Sequence, residues 1–318
     1  MSGLGFLGHI GVAKETTWGT AVAASSYFEA LSEGITATID RFQTRNIVGA
    51  MYEPDDQTGI VRIAGPVTFA AHPVPLGIFL NGVFGNNSGS VITSGVLFKN
   101  EFTVRASDIN SLHPLPAYTF EVFRDITSAQ QYDGCQISAL TLALQPNQDM
   151  RASVNVIGKG TQHIAKTTPS FPGSPTGMFA FDGASISLGG VGVQIVEAIT
   201  VGLDNQLEGV PAVQVGSEVA RITRQGPPIV RVSGTIALQD FAEYEKLMNQ
   251  TEQALVINVF KTNSFSLLIE VPRMVYTEYP LGISGRERQL ISFNAMGRYP
   301  TGSASMIKMS LTTTKSDY

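Results

Sequence analysis

A nine-residue stretch occurs twice in this chain, and its spacing restricts the fold more than any other feature. Val61-Arg62-Ile63-Ala64-Gly65-Pro66-Val67-Thr68-Phe69 returns without a gap as Val230-Arg231-Val232-Ser233-Gly234-Thr235-Ile236-Ala237-Leu238. In the second copy Val230, Val232, Ile236 and Leu238 share one face, while Arg231, Ser233, Thr235 and Gln239 share the other. A two-residue period of this kind is a half-buried strand. The glycine common to both copies, Gly65 or Gly234, leaves room for a bulge or for another backbone to come close. A short helical segment follows each copy, so the chain reads as two strand-helix-strand modules.

Further blocks match in the same order across the 318 residues. Thr36-x-x-Ile39-Asp40 answers Thr200-x-x-Leu203-Asp204, and each precedes a long polar segment, residues 41–60 and 205–228. Loops this long are usually functional, and these are expected to be mobile in a free subunit. The run Tyr118 to Arg124 answers Leu255 to Lys261; both are apolar on both faces, which predicts central strands covered on each side. Further strands are expected at about 135–144 and 265–276. Ser153-Val154-Asn155-Val156-Ile157-Gly158-Lys159 answers Ser292-Phe293-Asn294-Ala295-Met296-Gly297-Arg298 as the closing strand. Matching blocks in one order mark a duplication. The division expected is residues 1–160 for an arm and first module, 161–178 for a proline-rich linker, and 179–318 for a second module. The first module alone has an insertion at about 85–116, with turn chemistry at Asn86-Asn87-Ser88-Gly89.

Both helices are short. In the first, Pro75 suits the opening position, and Leu76, Phe79, Leu80 and Val83 form the apolar side. In the second, Asp240 with Glu243 resembles a capping box, and Phe241, Tyr244 and Met248 share a face. Helices of about ten residues are held by packing on a sheet.

Composition narrows the function. Glycine is plentiful, charged residues are 15 % of the chain, and the net charge is −5. No block of like charge marks a nucleic-acid arm or a membrane-surface helix. The apolar run from Pro66 to Phe84 holds His72, three prolines and Asn81, and its counterpart is polar, so no membrane span is expected. No signal peptide is read at the start. The one cysteine, Cys135, excludes a disulfide framework and reads as an inert thiol.

Catalysis needs convergent titratable groups, and the sequence offers none. His9, His72, His113 and His163 have no partner at metal-ligand spacing. Gly3-x-Gly5-x-x-Gly8 lacks the preceding strand and following crossover that a dinucleotide site requires, and reads as a leading arm. Glu53, Asp55 and Asp56 lack the frame of a calcium loop and read as a solvated acidic loop. Neither a nucleophile elbow nor a P-loop occurs. No enzyme, cofactor or metal is expected.

Three segments carry a resemblance. Glu15-Thr16-Thr17-Trp18-Gly19-Thr20 lies near the start, Tyr132-Asp133-Gly134-Cys135 opens a late hairpin, and Asn155-x-x-Gly158-Lys159 closes the first module. In this order the chain resembles the major tail tube proteins of long-tailed, siphovirus-type bacteriophages. The resemblance implies a mainly β fold: a β-sandwich with a short flanking helix per module, joining neighbours edge to edge into a ring-closed inner β-barrel. It implies a structural virion protein, assembled in the host cytoplasm into stacked rings that form the tail tube. DNA passes through the lumen without specific binding, and an acidic chain without basic clusters suits such a conduit. Tape-measure, tail terminator and distal tail proteins are the implied partners.

Exposed sheet edges are an aggregation hazard unless paired, and a ring pairs them. The resemblance implies six-place rings of single modules, so two joined modules are expected to close a ring with three chains and to put the 85–116 insertion at alternate positions; the rival arrangement keeps six chains, with one module lining the lumen and the other outside. The residues expected to serve assembly are Gly65 and Gly234 in the sheet, Arg45, Tyr52, Glu53, Asp55 and Asp56 in the first loop, and Glu208 and Glu218 in the second. A carbohydrate-binding or adhesin β-sandwich is the rival reading. It is disfavoured because Trp18, the one tryptophan, lies in the leading arm.

Overall fold

The computed structural model describes residues 3–318 apart from 45, 46, 48, 50, 52–54, 94, 106–113, 172–176, 214, 215, 217, 263, 264, 283–285, 287 and 300–304. The first half runs β1 (His9–Lys14), β2 (Ser26–Phe28), β3 (Ala30–Glu33), β4 (Thr36–Phe42), β5 (Gln57–Ala70) and α1 (Pro73–Phe84). It continues with β6 (Gly85–Thr93), β7 (Leu97–Val104), β8 (Tyr118–Phe123), β9 (Ala129–Leu144), β10 (Arg151–Gly158) and β11 (Gly160–Ile164). The second half runs β12 (Ala184–Leu188), β13 (Val191–Gly192), β14 (Val196–Asp204), β15 (Leu207–Pro211), β16 (Val219–Arg224) and β17 (Ile229–Ala237). It ends with α2 (Ala242–Met248), β18 (Gln253–Thr262), β19 (Phe265–Glu278), β20 (Leu290–Gly297) and β21 (Lys308–Thr313).

The architecture is mainly β and of sandwich type, and among the described residues no closed barrel forms within one chain. One layer is continuous through both halves. Its strands lie side by side as β4, β5, β10, β9, β14, β17, β20 and β19. The last four repeat the first four in order, and the seam is an antiparallel ladder from Ile199↔Leu144 to Asp204↔Ala139. The two halves therefore share backbone hydrogen bonds as neighbouring strands do.

The other layer is in two parts, because β9 and β19 are long enough to serve both layers. The first part of β9 pairs with β8 and β11, and β8 pairs with β1. The first part of β19 pairs with β18 and β21, and β18 pairs with β12. Each long strand is bulged a few residues beyond the point where it changes partners. The shift falls opposite Asn155 and Val156 in the first half, and between Tyr276 and Glu278, opposite Asn294, in the second. Bulges bend strands and increase their twist, which is how one strand can leave one sheet for another.

Between the layers lies one core that includes Phe69, Phe79, Phe120, Leu140, Val232 and Phe293. The alternation read from the repeated stretch holds: Val230, Val232 and Ile236 are buried, while Arg231 is exposed. The registers of the two copies differ by two residues, a shift that leaves every side chain on its face. Gly65 lies opposite Val156, whereas Gly234 lies opposite Phe293.

The structure corrects several local expectations. Asn86 to Gly89 lie within β6, not in a turn; the bend comes at 93–97, and the β6–β7 hairpin pairs with β21 of the second half. The insertion of one half thus completes the sheet of the other. Pro73, not Pro75, takes the first position of α1, with His72 before it and left-handed Gly85 (φ 72°) after it. Asp240 and Glu243 form no capping box. Asp240 accepts from the amide of Ala242, and Glu243 turns inward. β8 is buried on both faces as expected, because the arm and residues 165–167 cover its outer side. β18 has no such cover, and Asn258 and Phe260 are exposed. Among the described residues no helix is long and apolar enough to cross a membrane.

Candidate functional site

The three segments noted in the sequence meet in space. The Glu15 carboxylate accepts hydrogen bonds from the amides of Gly134 and Gly19 and from Thr119 Oγ1, each at 2.8 Å. Burial raises the Glu15 carboxyl above its ordinary range, and these bonds act against that rise. The indole of Trp18 donates to Gly134 O at 3.0 Å, and the ammonium of Lys159 lies 5.2 Å from the Trp18 ring centre. Gly134 has φ 63°, and a Cβ there would fall 2.7 Å from Lys159 Cβ. Glycine at this position serves both the turn and the close approach.

On this node sits the β15–β16 hairpin. Leu207, Val219 and Ile222 form an apolar cluster with Leu115, flanked by Trp18 and Ile157, and Glu218 lies 3.7 Å from Lys159. The described part of residues 205–228 is therefore not a simple polar loop but the paired strands β15 and β16. The hairpin from the second half packs on the first, which gives it a core that its sequence alone does not reveal. Glu208 accepts from Gln225 across the same hairpin.

Asn205 links hairpin and seam. It is fully buried; its amide donates to Ser138 O at 2.8 Å and its side chain to Val83 O at 2.7 Å. Its carbonyl accepts from Arg224 at 3.3 Å. Above it α1 is enclosed: Leu76, Phe79, Leu80 and Val83 have no exposed surface. Asn81 donates to Tyr318 O, and Gly77 faces the Tyr318 ring at a distance no side chain would allow.

The same arrangement recurs at the far end of the second half, unfilled. α2 follows β17 as α1 follows β5, yet Phe241 is 61 % and Met248 65 % exposed. Beside α2 a groove of about 470 Å³ is lined by Leu247, Val275, Thr277, Met296 and Arg298, among others. The bulge and closing-strand matches set Thr277 where Ser138 lies, Met296 where Ile157 lies and Arg298 where Lys159 lies. At the opposite end of the continuous sheet every residue of β4 is exposed, Ile39 at 50 % and Phe42 at 52 %. Isolated apolar side chains on a surface are ordinary, but an exposed strand bearing several at a sheet edge is a pairing surface.

Glu243 fixes the wall of the groove. Its carboxylate accepts from Lys246 at 2.6 Å, Tyr276 at 2.8 Å and Gln253 at 3.1 Å. Burial opposes its ionisation, but these hydrogen bonds and the Lys246 charge outweigh burial and lower its pKa below the ordinary 4.5. A carboxylate with a lowered folded pKa stabilises above its unfolded value and loses that contribution as the pH falls through the folded value. Amide exchange at Leu247 and Met248 should therefore accelerate as the pH drops below about 4.5, relative to the intrinsic rate. Glu243→Gln should remove that step, and an unchanged pH profile in the variant would show that another group controls α2.

Of the other expected assembly residues, Arg45, Tyr52 and Glu53 lie outside the described residues. Asp55 is exposed, and Asp56 lies 3.8 Å from Arg41 and accepts from Gln43. A Cβ on Gly65 would collide with Gly34 O, and one on Gly234 would lie 2.5 Å from Ala198 O and 2.8 Å from Phe293. Asn205, Glu15 and Lys159 were not singled out by chemistry. The signal for Glu15 and Lys159 lay in the segments that carry the resemblance, whereas Asn205 left none, because its counterpart is Arg41.

Among the described residues the fold is that of a mainly β, sandwich-type protein with exposed sheet edges. A family model described as phage tail tube protein matches residues 5–306. The chain therefore belongs to the phage tail tube family and is a component of the virion tail. No curated protein matches it.

Proposed function

We propose that three chains close a ring in which the two halves act as successive tail-tube modules, with residues 1–160 and 179–318 as their extents, and that rings stack into the tail tube that conducts the genome. The observation that carries this reading is the seam. β9 and β14 already join two four-stranded units edge to edge; among the described residues the counterpart of β14, β4, keeps a free outer edge, and the counterpart of β9, β19, ends at Glu278, which corresponds to Ala139 where the seam begins. Repeating the seam between chains would pair these edges, bury Ile39 and cover α2 as α1 is covered. Closed cyclic assemblies arise when such head-to-tail contacts return on themselves.

The face of the continuous sheet turned away from the core supports its assignment to the lumen. It carries Thr68, Ser153, Thr200, Ser233, Ser292 and Asn294. Its charges include Arg62, paired with Asp40 at 2.9 Å, and the separate Arg151 and Arg231. A surface of hydroxyls and amides offers the DNA backbone few fixed cations, which suits passage without specific binding. Tape-measure, tail terminator and distal tail proteins would meet the tube, as other proteins of the tail.

Cryo-electron microscopy of assembled tubes tests the count. The β6–β7 hairpin exists in one half only, so it should appear at three alternate positions of six around each ring. Six equivalent hairpins per ring would overturn the three-chain reading.

A further inference from the structure

We propose that the groove beside α2 is the socket for the β4–β5 hairpin of a second copy of this chain, with Phe42 as its apolar plug; this rests on the ring reading above.

The template for this contact lies inside the chain. The segment between β14 and β17 corresponds to the segment between β4 and β5, because the flanking blocks match residue for residue. In the second half this segment leaves the sheet at Asn205 and Gln206, where Gln206 has φ 50°, and closes over Val83, Ser138, Ile157 and Lys159 of the first half. Among its described residues, the corresponding segment of the first half makes no such closure. β4 and β5 stay paired, through a register shift between Ile39 and Arg41, as far as Phe42↔Gln57, and Phe42 stays exposed.

The socket is the corresponding place on the second half. Leu247, Val275 and Met296 give it an apolar floor, as the first half gives Ile157 and Trp18 to the β15–β16 hairpin. Thr277 is exposed beside it, at the position where Ser138 O receives the Asn205 amide. Lys159 meets Glu218 at the filled site; at the other, Arg298, 3.7 Å from the partly exposed Glu252, takes the place of Lys159, and the incoming segment carries Asp55 beside Asp56, which lies 3.8 Å from its own Arg41. An aromatic anchor entering an apolar pocket with an acidic-to-basic rim is the usual composition of a dominant contact.

The test uses the full-length protein carrying Gln43→Cys and Thr277→Cys together, assembled and then treated with a short thiol-specific cross-linker. Cys135 is fully buried and gives no background. Covalent species should stop at three chains, and adding Phe42→Asp should abolish them while leaving the melting temperature of the free chain unchanged. Products that stop at six chains would keep the socket and overturn the three-chain ring. Rings of three that assemble without any cross-link would overturn the socket and keep the ring. Products that extend without limit would place the contact between rings and overturn the socket as drawn.

Discussion

Gly234→Val should leave little folded protein, and Gly65→Val less still. At Gly234 a Cβ would stand 2.5 Å from Ala198 O and 2.8 Å from the Phe293 ring. The ring could rotate away, but the carbonyl belongs to the β14–β17 ladder and cannot yield without breaking it. At Gly65 the obstacles are backbone alone, Gly34 O and the Cα of Ile35. Overpacking a filled site costs about 1–3 kcal/mol, and more where backbone must move. Thr235→Ala, beside it on the half-exposed face, should change stability by less than about 0.5 kcal/mol. Thermal melts of the three variants check this. A valine variant that melts and assembles like the parent would show that the approach of the strands is slack.

Asn205→Ala should loosen the seam between the halves by about 2 kcal/mol or more, the cost of leaving the buried Val83 carbonyl without its donor and Arg224 without one of its acceptors. Arg224 keeps Arg105 O, which limits the loss on that side. The effect should be local at first: amides of β15 and β16 should exchange faster, while those of β18 and β19 keep their protection. Gln225→Ala, on the exposed side of the same hairpin, should be nearly neutral. Equal effects of the two substitutions would argue that the hairpin is held by its apolar cluster alone.

These two predictions differ in how far the sequence anticipates them. The glycines were legible because a strand has a two-residue period and glycine interrupts it in the same place twice. Asn205 was not, since an asparagine after a strand reads as a turn former. Its role depends on Ser138 and Val83, which are far away in the chain and come near only when β14 pairs with β9. The second long segment misled for the same reason. Leu207, Val219 and Ile222 are too few and too scattered to mark a core until Trp18, Leu115 and Ile157 lie beneath them. The capping-box reading of Asp240 and Glu243 failed because a buried carboxylate gains more from Lys246, Tyr276 and Gln253 than from one exposed amide.

By itself the sequence determined the β content, the matching order of blocks in the two halves, the faces of the repeated strand, the places of both helices and the likeness to tail tube proteins. All of these follow from local periodicity or from matches between the two halves, and local pattern is what a sequence states directly. The tertiary structure alone decided that the halves share one continuous sheet, that the β6–β7 hairpin completes the other half's layer, and that the surroundings of α2 repeat those of α1 without a cover. Strand pairing between distant segments is chosen by which edges are left with free amides and carbonyls once each half has folded. That choice depends on long-range geometry and leaves no period in the chain.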